Sequence, residues 1–266
     1  MKKPLIASTS NPLVKQARAL RQKKARRENG LFLVEGIHHV GEVIEAGWNV
    51  ESVLYAPDTL TSSFAHDLIS RLDITPQPVT PQVMDSLADK DNPQGILAIV
   101  RQRQTKLSDL QMSGNAVALV AAQNPGNVGT ILRTMDAVGI DTLFLIDPLK
   151  GTRSSVELYH PTVVRASMGT LFWKTVVQTS FGEFQSWVRT GKYQLIGTSA
   201  HADLAYHDHF PEAPWILLLG NEQKGLSTEH LNACDVTVSL PMQGRVSSLN
   251  LSVAAGVLLY QFMEKK

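Results

Sequence analysis

The run Leu240-Pro241-Met242-Gln243-Gly244-Arg245-Val246-Ser247-Ser248-Leu249-Asn250-Leu251-Ser252-Val253-Ala254 changes character halfway along. Its first residues end a strand and enter a tight turn containing Gly244. Its last residues open an apolar helix that continues through Ala255, Leu258, Leu259 and Phe262. Between them stand Ser247, Ser248 and Asn250. Uncharged polar side chains at a helix start cap its orphan amides, so N-capping is one reading of all three. Asn250 resists it most, because it falls inside the apolar turn and not at its mouth.

Working back from this run, the second half of the chain alternates strands with helices. Strands are expected at Ala116 to Ala121, Leu143 to Ile146, Lys174 to Val177, Gln194 to Thr198, Ile216 to Gly220 and Val236 to Leu240. Helices are expected at Val128 to Val138, Pro161 to Met168 and Phe181 to Arg189. A run such as Ile216-Leu217-Leu218-Leu219 is apolar throughout, as in strands buried on both faces, and that implies a parallel sheet. The first half reads as a smaller α/β sandwich. It has strands at Leu31 to Val34, Val50 to Tyr55 and Gly95 to Val100. Helices begin at Asn11-Pro12 and follow Gly36, Thr61 and Thr80, and Asp89 to Pro93 is polar. The polar, aperiodic stretch Arg101 to Lys106 reads as a linker, giving domains at 1–104 and 105–266.

Composition narrows the class of function. The net charge is +1, but residues 1–28 hold nine basic side chains (Lys2, Lys3, Lys15, Arg18, Arg21, Lys23, Lys24, Arg26, Arg27) against Glu28 alone. That segment carries +8 and the remainder −7, a segregation that points to a polyanionic partner. Removing residues 1–28 is therefore expected to weaken polyanion binding and its salt dependence while leaving cofactor binding intact. The single cysteine, Cys234, excludes internal disulfides and fits a reducing cytoplasm. The basic start lacks the apolar stretch of a signal peptide, and no apolar run has the length of a membrane span.

In parallel α/β sheets, ligands bind beyond the carboxyl ends of strands. The loops expected there are Asn124 to Arg133, Thr198-Ser199, Gly220 to Leu226 and Pro241 to Asn250. None carries a dinucleotide fingerprint, and Leu226 stands where a phosphate loop needs lysine. His201, His207 and His209 are too loosely spaced for a metal template, so no metal is expected. No Gly-x-Ser-x-Gly elbow is present. What remains is Asn127, Arg133, Glu222, Ser248 and Asn250, a set suited to holding and orienting reactants.

Three stretches carry a resemblance. They are Asn124-Pro125-Gly126-Asn127-Val128-Gly129-Thr130-Ile131-Leu132-Arg133, Leu219-Gly220-Asn221-Glu222-Gln223-Lys224-Gly225-Leu226, and Leu240 to Ser252. In this order and spacing they resemble the motifs of the SpoU family, the knotted RNA 2′-O-ribose methyltransferases, over about Ala116 to Met263. Phe32-Leu33-Val34-Glu35-Gly36 and the helix after it resemble the family's substrate-binding domain. The resemblance implies a carboxy-terminal parallel-sheet α/β domain with a deep trefoil knot, S-adenosylmethionine as cofactor, a homodimer, and RNA as substrate. Ribosomal RNA comes first and transfer RNA second. A non-catalytic RNA-binding protein that keeps the fold is the alternative class, and a nucleotide hydrolase using the Gly220 loop is a third. Carried over, Gly220, Leu240 and Leu249 would contact the cofactor through main-chain groups, with Thr198 a fourth cofactor-binding candidate. Asn127, Glu222, Ser248 and Asn250 would shape the pocket for ribose and methyl donor, and Arg133 would be the catalytic arginine. A guanidinium stays protonated, so Arg133 is expected to orient a phosphate and stabilise a developing alkoxide. Asn124 departs from the acid usual before the proline, and asparagine serves that turn equally well.

Overall fold

The computed structural model describes residues 3–88, 94–112, 114–147, 155–212 and 214–264. The polar stretch Asp89 to Pro93 and the basic Lys2 lie outside the described residues. The chain forms two compact units. One comprises Met1–Arg103 together with Tyr159–Phe172, and the other comprises Gln104–Leu158 and Trp173–Lys266.

The first unit starts with α1 (Pro12–Ala19), capped by the Asn11 side chain, and α2 (Lys23–Asn29), ended by Gly30 in the left-handed region at φ 63°. These were expected as one helix. The break follows from Arg26, a basic residue that is 1% exposed. Its guanidinium donates to Leu20 O at 2.8 Å and Arg21 O at 2.7 Å, satisfying carbonyls left open where α1 ends. The chain continues through β1 (Leu31–Glu35), α3 (Ile37–Glu45), β2 (Val50–Tyr55), α4 (Ser63–Ser70), β3 (Gln77–Pro78), α5 (Pro81–Leu87) and β4 (Ile96–Arg101). The sheet order is β1-β4-β2-β3, antiparallel except between β2 and β3.

Val14, Ala17 and Leu20 of the first helix pack into one core cluster with Leu54, Val83, Leu87, Leu97 and Ile99. Residues 1–28 are therefore an integral part of the first unit and not a detachable arm. Lys15, Arg18, Lys23, Lys24 and Arg27 line the exposed side, while the apolar side is part of the fold.

The second unit contains β5 (Ala116–Val120), α6 (Pro125–Ala137) and β6 (Thr142–Asp147). The next helix, α7 (Pro161–Ala166), belongs to the first unit, where it packs against β1. The second unit resumes with β7 (Thr175–Ser180), α8 (Phe181–Thr190), β8 (Gln194–Thr198), β9 (Leu204–Ala205), β10 (Trp215–Leu219), α9 (Thr228–Asn232), β11 (Val236–Ser239) and α10 (Leu251–Met263). Its strands lie in the order β7-β6-β5-β10-β8-β11-β9, with every pair parallel. All residues of β5 and β10 are buried, as continuously apolar strands in a covered sheet must be. The architecture is α/β with a parallel sheet, as the alternation of elements implied. Among the described residues no helix is long and apolar enough to cross a membrane.

β5 and β10 are neighbours at the centre of this sheet, and the chain leaves them in opposite directions, toward β6 and toward β11. Divergent connections open a crevice beyond the carboxyl ends of such strands.

Candidate active site

A cavity of about 430 Å³ lies at that end of the sheet, within the second unit. Its walls are Thr198 to His201 after β8, Leu219 to Leu226 at the end of β10, and Leu240, Met242 and Ser247 to Leu249 after β11. Leu251, Ala254 and Leu258 of α10 complete it. The volume falls within the roughly 300–1,000 Å³ usual for small-molecule sites.

The loop after β10 is folded tightly on itself. A Cβ on Gly220 would stand 2.2 Å from Gly225 C and 2.4 Å from Leu226 N, so only glycine fits. Gly225 takes φ 65°, where glycine is favoured. Asn221 braces the loop from within. Its Oδ1 accepts from Gln223 N and Lys224 N, and its Nδ2 donates to Ala121 O at 2.9 Å. Ala121 is itself held at φ 51°, an uncommon conformation for a residue with a Cβ.

Side chains from the three motifs meet beside this cavity. Glu222 receives Gln123 N at 3.2 Å, Asn124 N at 3.1 Å and Asn127 Nδ2 at 3.2 Å, so its carboxylate sits at the amino end of α6. A negative charge is favoured at that pole of a helix. Asn127, 6% exposed, in turn accepts from Asn250 Nδ2 at 3.0 Å through its Oδ1. Asn250 Oδ1 accepts from Ser252 N at 2.9 Å and from Val253 N at 3.4 Å.

Asn250 is therefore the N-cap of α10. The sequence offered N-capping for Ser247, Ser248 and Asn250 alike and fitted it least to Asn250, which it placed inside the apolar turn; the structure gives the cap to Asn250. One amide performs both tasks, its oxygen capping the helix and its nitrogen holding Asn127. Asn124, the departure in the first motif, caps α6 by accepting from Gly126 N at 2.8 Å. That helix starts at Pro125, three residues earlier than expected.

Of the residues singled out from sequence, Thr198, Gly220, Glu222, Leu240, Ser248 and Leu249 line the cavity. Asn127 and Asn250 join it through hydrogen bonds to Glu222 and to each other. The Thr198 hydroxyl donates to Leu218 O at 3.3 Å, which directs it back toward the strand. Arg133 is not brought to the cavity of its own chain. Six residues past Asn127, it lies about two-thirds of a turn round α6 and is exposed. Sequence reasoning missed Asn221, whose place after Gly220 carried the only signal, that of an Asx turn. It also missed Ala121, for which alanine gives no signal at all.

The cavity suits S-adenosylmethionine. The Gly220 cradle brings main chain to its wall, and neutral groups dominate the lining. Among the described residues no cluster of three His, Cys, Asp or Glu is placed to hold a metal.

Comparison with known proteins fits this geometry. The SpoU rRNA Methylase family model matches residues 114–260, and the MRM3-like substrate binding domain matches residues 11–98. The chain belongs to the SpoU rRNA methylase family. It is 30% identical over 256 residues to the 23S rRNA (uridine(2479)-2′-O)-methyltransferase of Streptomyces viridochromogenes, covering 93% of this chain and 87% of that one. It is 27% identical to the Bacillus subtilis 23S rRNA (guanosine(2553)-2′-O)-methyltransferase RlmP, covering 96% and 97%. The crystal structure of the SpoU methyltransferase AviRb from Streptomyces viridochromogenes, in complex with the cofactor AdoMet, matches with a TM-score of 0.86 at 31% identity, covering 95% of this chain and 97% of that one.

Proposed function

We propose that this protein transfers a methyl group from S-adenosylmethionine to the 2′-hydroxyl of a ribose in 23S ribosomal RNA. One observation carries the reading. Asn127, Glu222 and Asn250, from three separated motifs, form a continuous hydrogen-bonded chain beside a cavity lined by the tight Gly220 loop. The second unit, Gln104–Leu158 with Trp173–Lys266, holds the donor and performs the transfer, and the first unit, Met1–Arg103 with Tyr159–Phe172, binds the RNA, in a cytoplasmic enzyme; the segment 159–172 thus departs from a simple division at residues 104 and 105.

S-adenosylmethionine supplies an activated methyl group on a sulfonium. Main-chain groups at Gly220, Leu240 and Leu249, with Thr198 at the rim, hold it without a charged partner. Ser248, exposed at the cavity, and the Asn127–Asn250 pair orient the ribose, so that its hydroxyl is aligned rather than chemically activated. Glu222 keeps the first two motif loops in register through the amides of Gln123 and Asn124. Arg133 orients an RNA phosphate that accepts the hydroxyl proton as the oxygen–methyl bond forms and the sulfur–methyl bond breaks, and its guanidinium stabilises the alkoxide developing on the sugar oxygen.

Its exposed position on α6 is accommodated by a homodimer. α10, which packs against α6, presents Val253 (51% exposed), Val257 and Tyr260 (60% exposed) on its outer face. An apolar stripe of this kind suits a partner subunit, and Arg133 would then act at the subunit contact. The segment from β11 onward would thread as the family's trefoil knot, holding the turn before α10 against the Gly220 loop.

Tritium transfer from labelled S-adenosylmethionine to ribosomal RNA, followed by mass-spectrometric mapping of 2′-O-methyl groups in cells with and without the gene, tests the activity. No label on any RNA would overturn it, and label on transfer RNA alone would overturn the ribosomal assignment. Arg133→Lys is expected to lose most turnover at unchanged cofactor affinity, because the planar fork is gone while the charge stays. Near-normal turnover would refute the bidentate role. Tyr260→Glu is expected to give monomers by sedimentation that no longer methylate. A monomeric variant with full activity would refute the shared site.

A further inference from the structure

The first unit encloses a second cavity, of about 570 Å³, that shares no residue with the one described. Arg21 reaches it from the turn between α1 and α2. Glu35 and His38 contribute from the end of β1 and the start of α3, and His160 and Arg165 from α7. Leu33, Leu87 and Val164 supply an apolar wall.

Specific bonds fix its shape. His38 Nε2 lies 3.0 Å from Met168 O and His39 Nε2 lies 3.3 Å from Arg165 O, so two successive imidazoles of α3 hold the carboxyl end of α7. Gln94 Oε1 accepts from Ile37 N at 2.9 Å, and a Cβ on Gly36 would come within 2.8 Å of that oxygen. Arg21 donates to Leu87 O at 2.6 Å, which anchors its guanidinium with one of five donors.

Two guanidinium groups, several imidazoles and one carboxylate around an apolar wall match a ligand with an anionic end and a flat, partly apolar end. Guanidinium forks match phosphate. Imidazole and guanidinium planes stack on bases that have been splayed out of a helix. The volume suits a single small ligand and not a duplex. Charge also leads into it, since Lys15, Arg18, Lys23, Lys24 and Arg27 are exposed on the two helices whose connecting turn holds Arg21.

We infer that this cavity receives one unpaired nucleotide of the RNA, with its phosphate on Arg21 and Arg165 and its base against the imidazole-bearing wall. The inference rests on the reading that RNA is the substrate, and it names a place where the RNA is gripped. It also gives α7 a role in RNA binding. That helix lies within the sequence matched by the methylase family model, whereas the substrate-binding match ends at residue 98 and supplies only part of the cavity.

The test uses full-length chain and unmethylated 23S ribosomal RNA transcribed in vitro. Arg21→Gln, Arg165→Gln and the exposed-site variant His38→Ala are titrated by filter binding across salt concentrations. Each is expected to bind about tenfold more weakly, the scale of a lost stacking or phosphate contact. The slope of log affinity against log salt should fall by about one for each guanidinium removed, and the heat of S-adenosylmethionine binding should stay unchanged. Ultraviolet crosslinks should map to His38, His160 or Met168. If Arg165→Gln fails to fold, Arg21→Gln and His38→Ala decide. Wild-type affinity and slope in the folded variants, with crosslinks confined to α1 and α2, would overturn the inference while leaving any measured methyl transfer standing. RNA binding that depends on the cavity, in a chain that transfers no methyl, would instead overturn the proposed activity and leave this inference in place.

Discussion

Asn250 uses the two ends of one amide for two purposes, and substitution can separate them. Asn250→Asp keeps the oxygen that caps α10 but cannot donate to Asn127. It is expected to keep its melting temperature while losing affinity for S-adenosylmethionine by titration calorimetry. Asn250→Ala should lose both, with about 1 kcal/mol of stability from the missing cap. Ala121 offers a different test, because its left-handed backbone serves the loop and not a side-chain contact. Ala121→Gly is expected to be neutral or to stabilise by up to about 1 kcal/mol in urea unfolding, and Ala121→Val to destabilise by about 1–3 kcal/mol. Burial, helped by the charge of Asp235, pushes the Cys234 thiol up to about 12. The native chain should therefore resist alkylation by iodoacetamide at pH 8 and react once unfolded. With its folded value raised, this thiol's contribution to stability is complete below the ordinary cysteine range and is lost as pH climbs from there toward 12. The polar types of the candidate site were legible at this scale. Their pairings were not, because a bond between residues 123 positions apart leaves no local trace.

Elements were read more fully than residues, and the misses have local causes. β2 and β8 occupy the expected residues because their apolar runs end at turn residues. α6 began early because Asn124 and Pro125 form a better start than the first apolar residue. α1 and α2 divide because buried Arg26 takes carbonyls that a continuous helix would have used. The loop after β10 has least freedom. Gly220→Ala would press a methyl group into the main chain of Gly225 and Leu226, and is expected to abolish S-adenosylmethionine binding in a chain that still folds. Reversing Lys23, Lys24 and Arg27 together should weaken RNA binding and flatten its salt dependence without changing the circular dichroism spectrum, since all three are exposed. Deleting residues 1–28 should instead unfold the first unit, because it removes Val14, Ala17 and Leu20 from the core.

For the whole molecule, the notable feature is an exchange of sequence between the units. Tyr159 and Phe172 pack with Phe32 and Trp48. The Phe32 and Tyr159 rings lie 4.5 Å apart, the Trp48 and Phe172 rings 5.4 Å apart, and Trp48 Nε1 donates to Phe172 O at 2.9 Å. The Tyr159 hydroxyl is pushed up to about 12 by burial and donates to Arg103 O. A fragment of residues 1–104 would leave Phe32 and Trp48 without these partners. It is expected to melt well below the first transition of the intact chain and to bind a hydrophobic dye. The parallel sheet and the places of the three motif loops could be read from the chain alone, since they follow from apolar periodicity and from residue types within short windows, whereas the roles of the site residues came from resemblance to the family. It took the folded chain to reveal that Asn127, Glu222 and Asn250 form one network, that Arg133 stands apart from it, and that α7 belongs with the first unit. Each of these is a meeting of segments remote in sequence, fixed by packing and hydrogen bonds that no local pattern encodes.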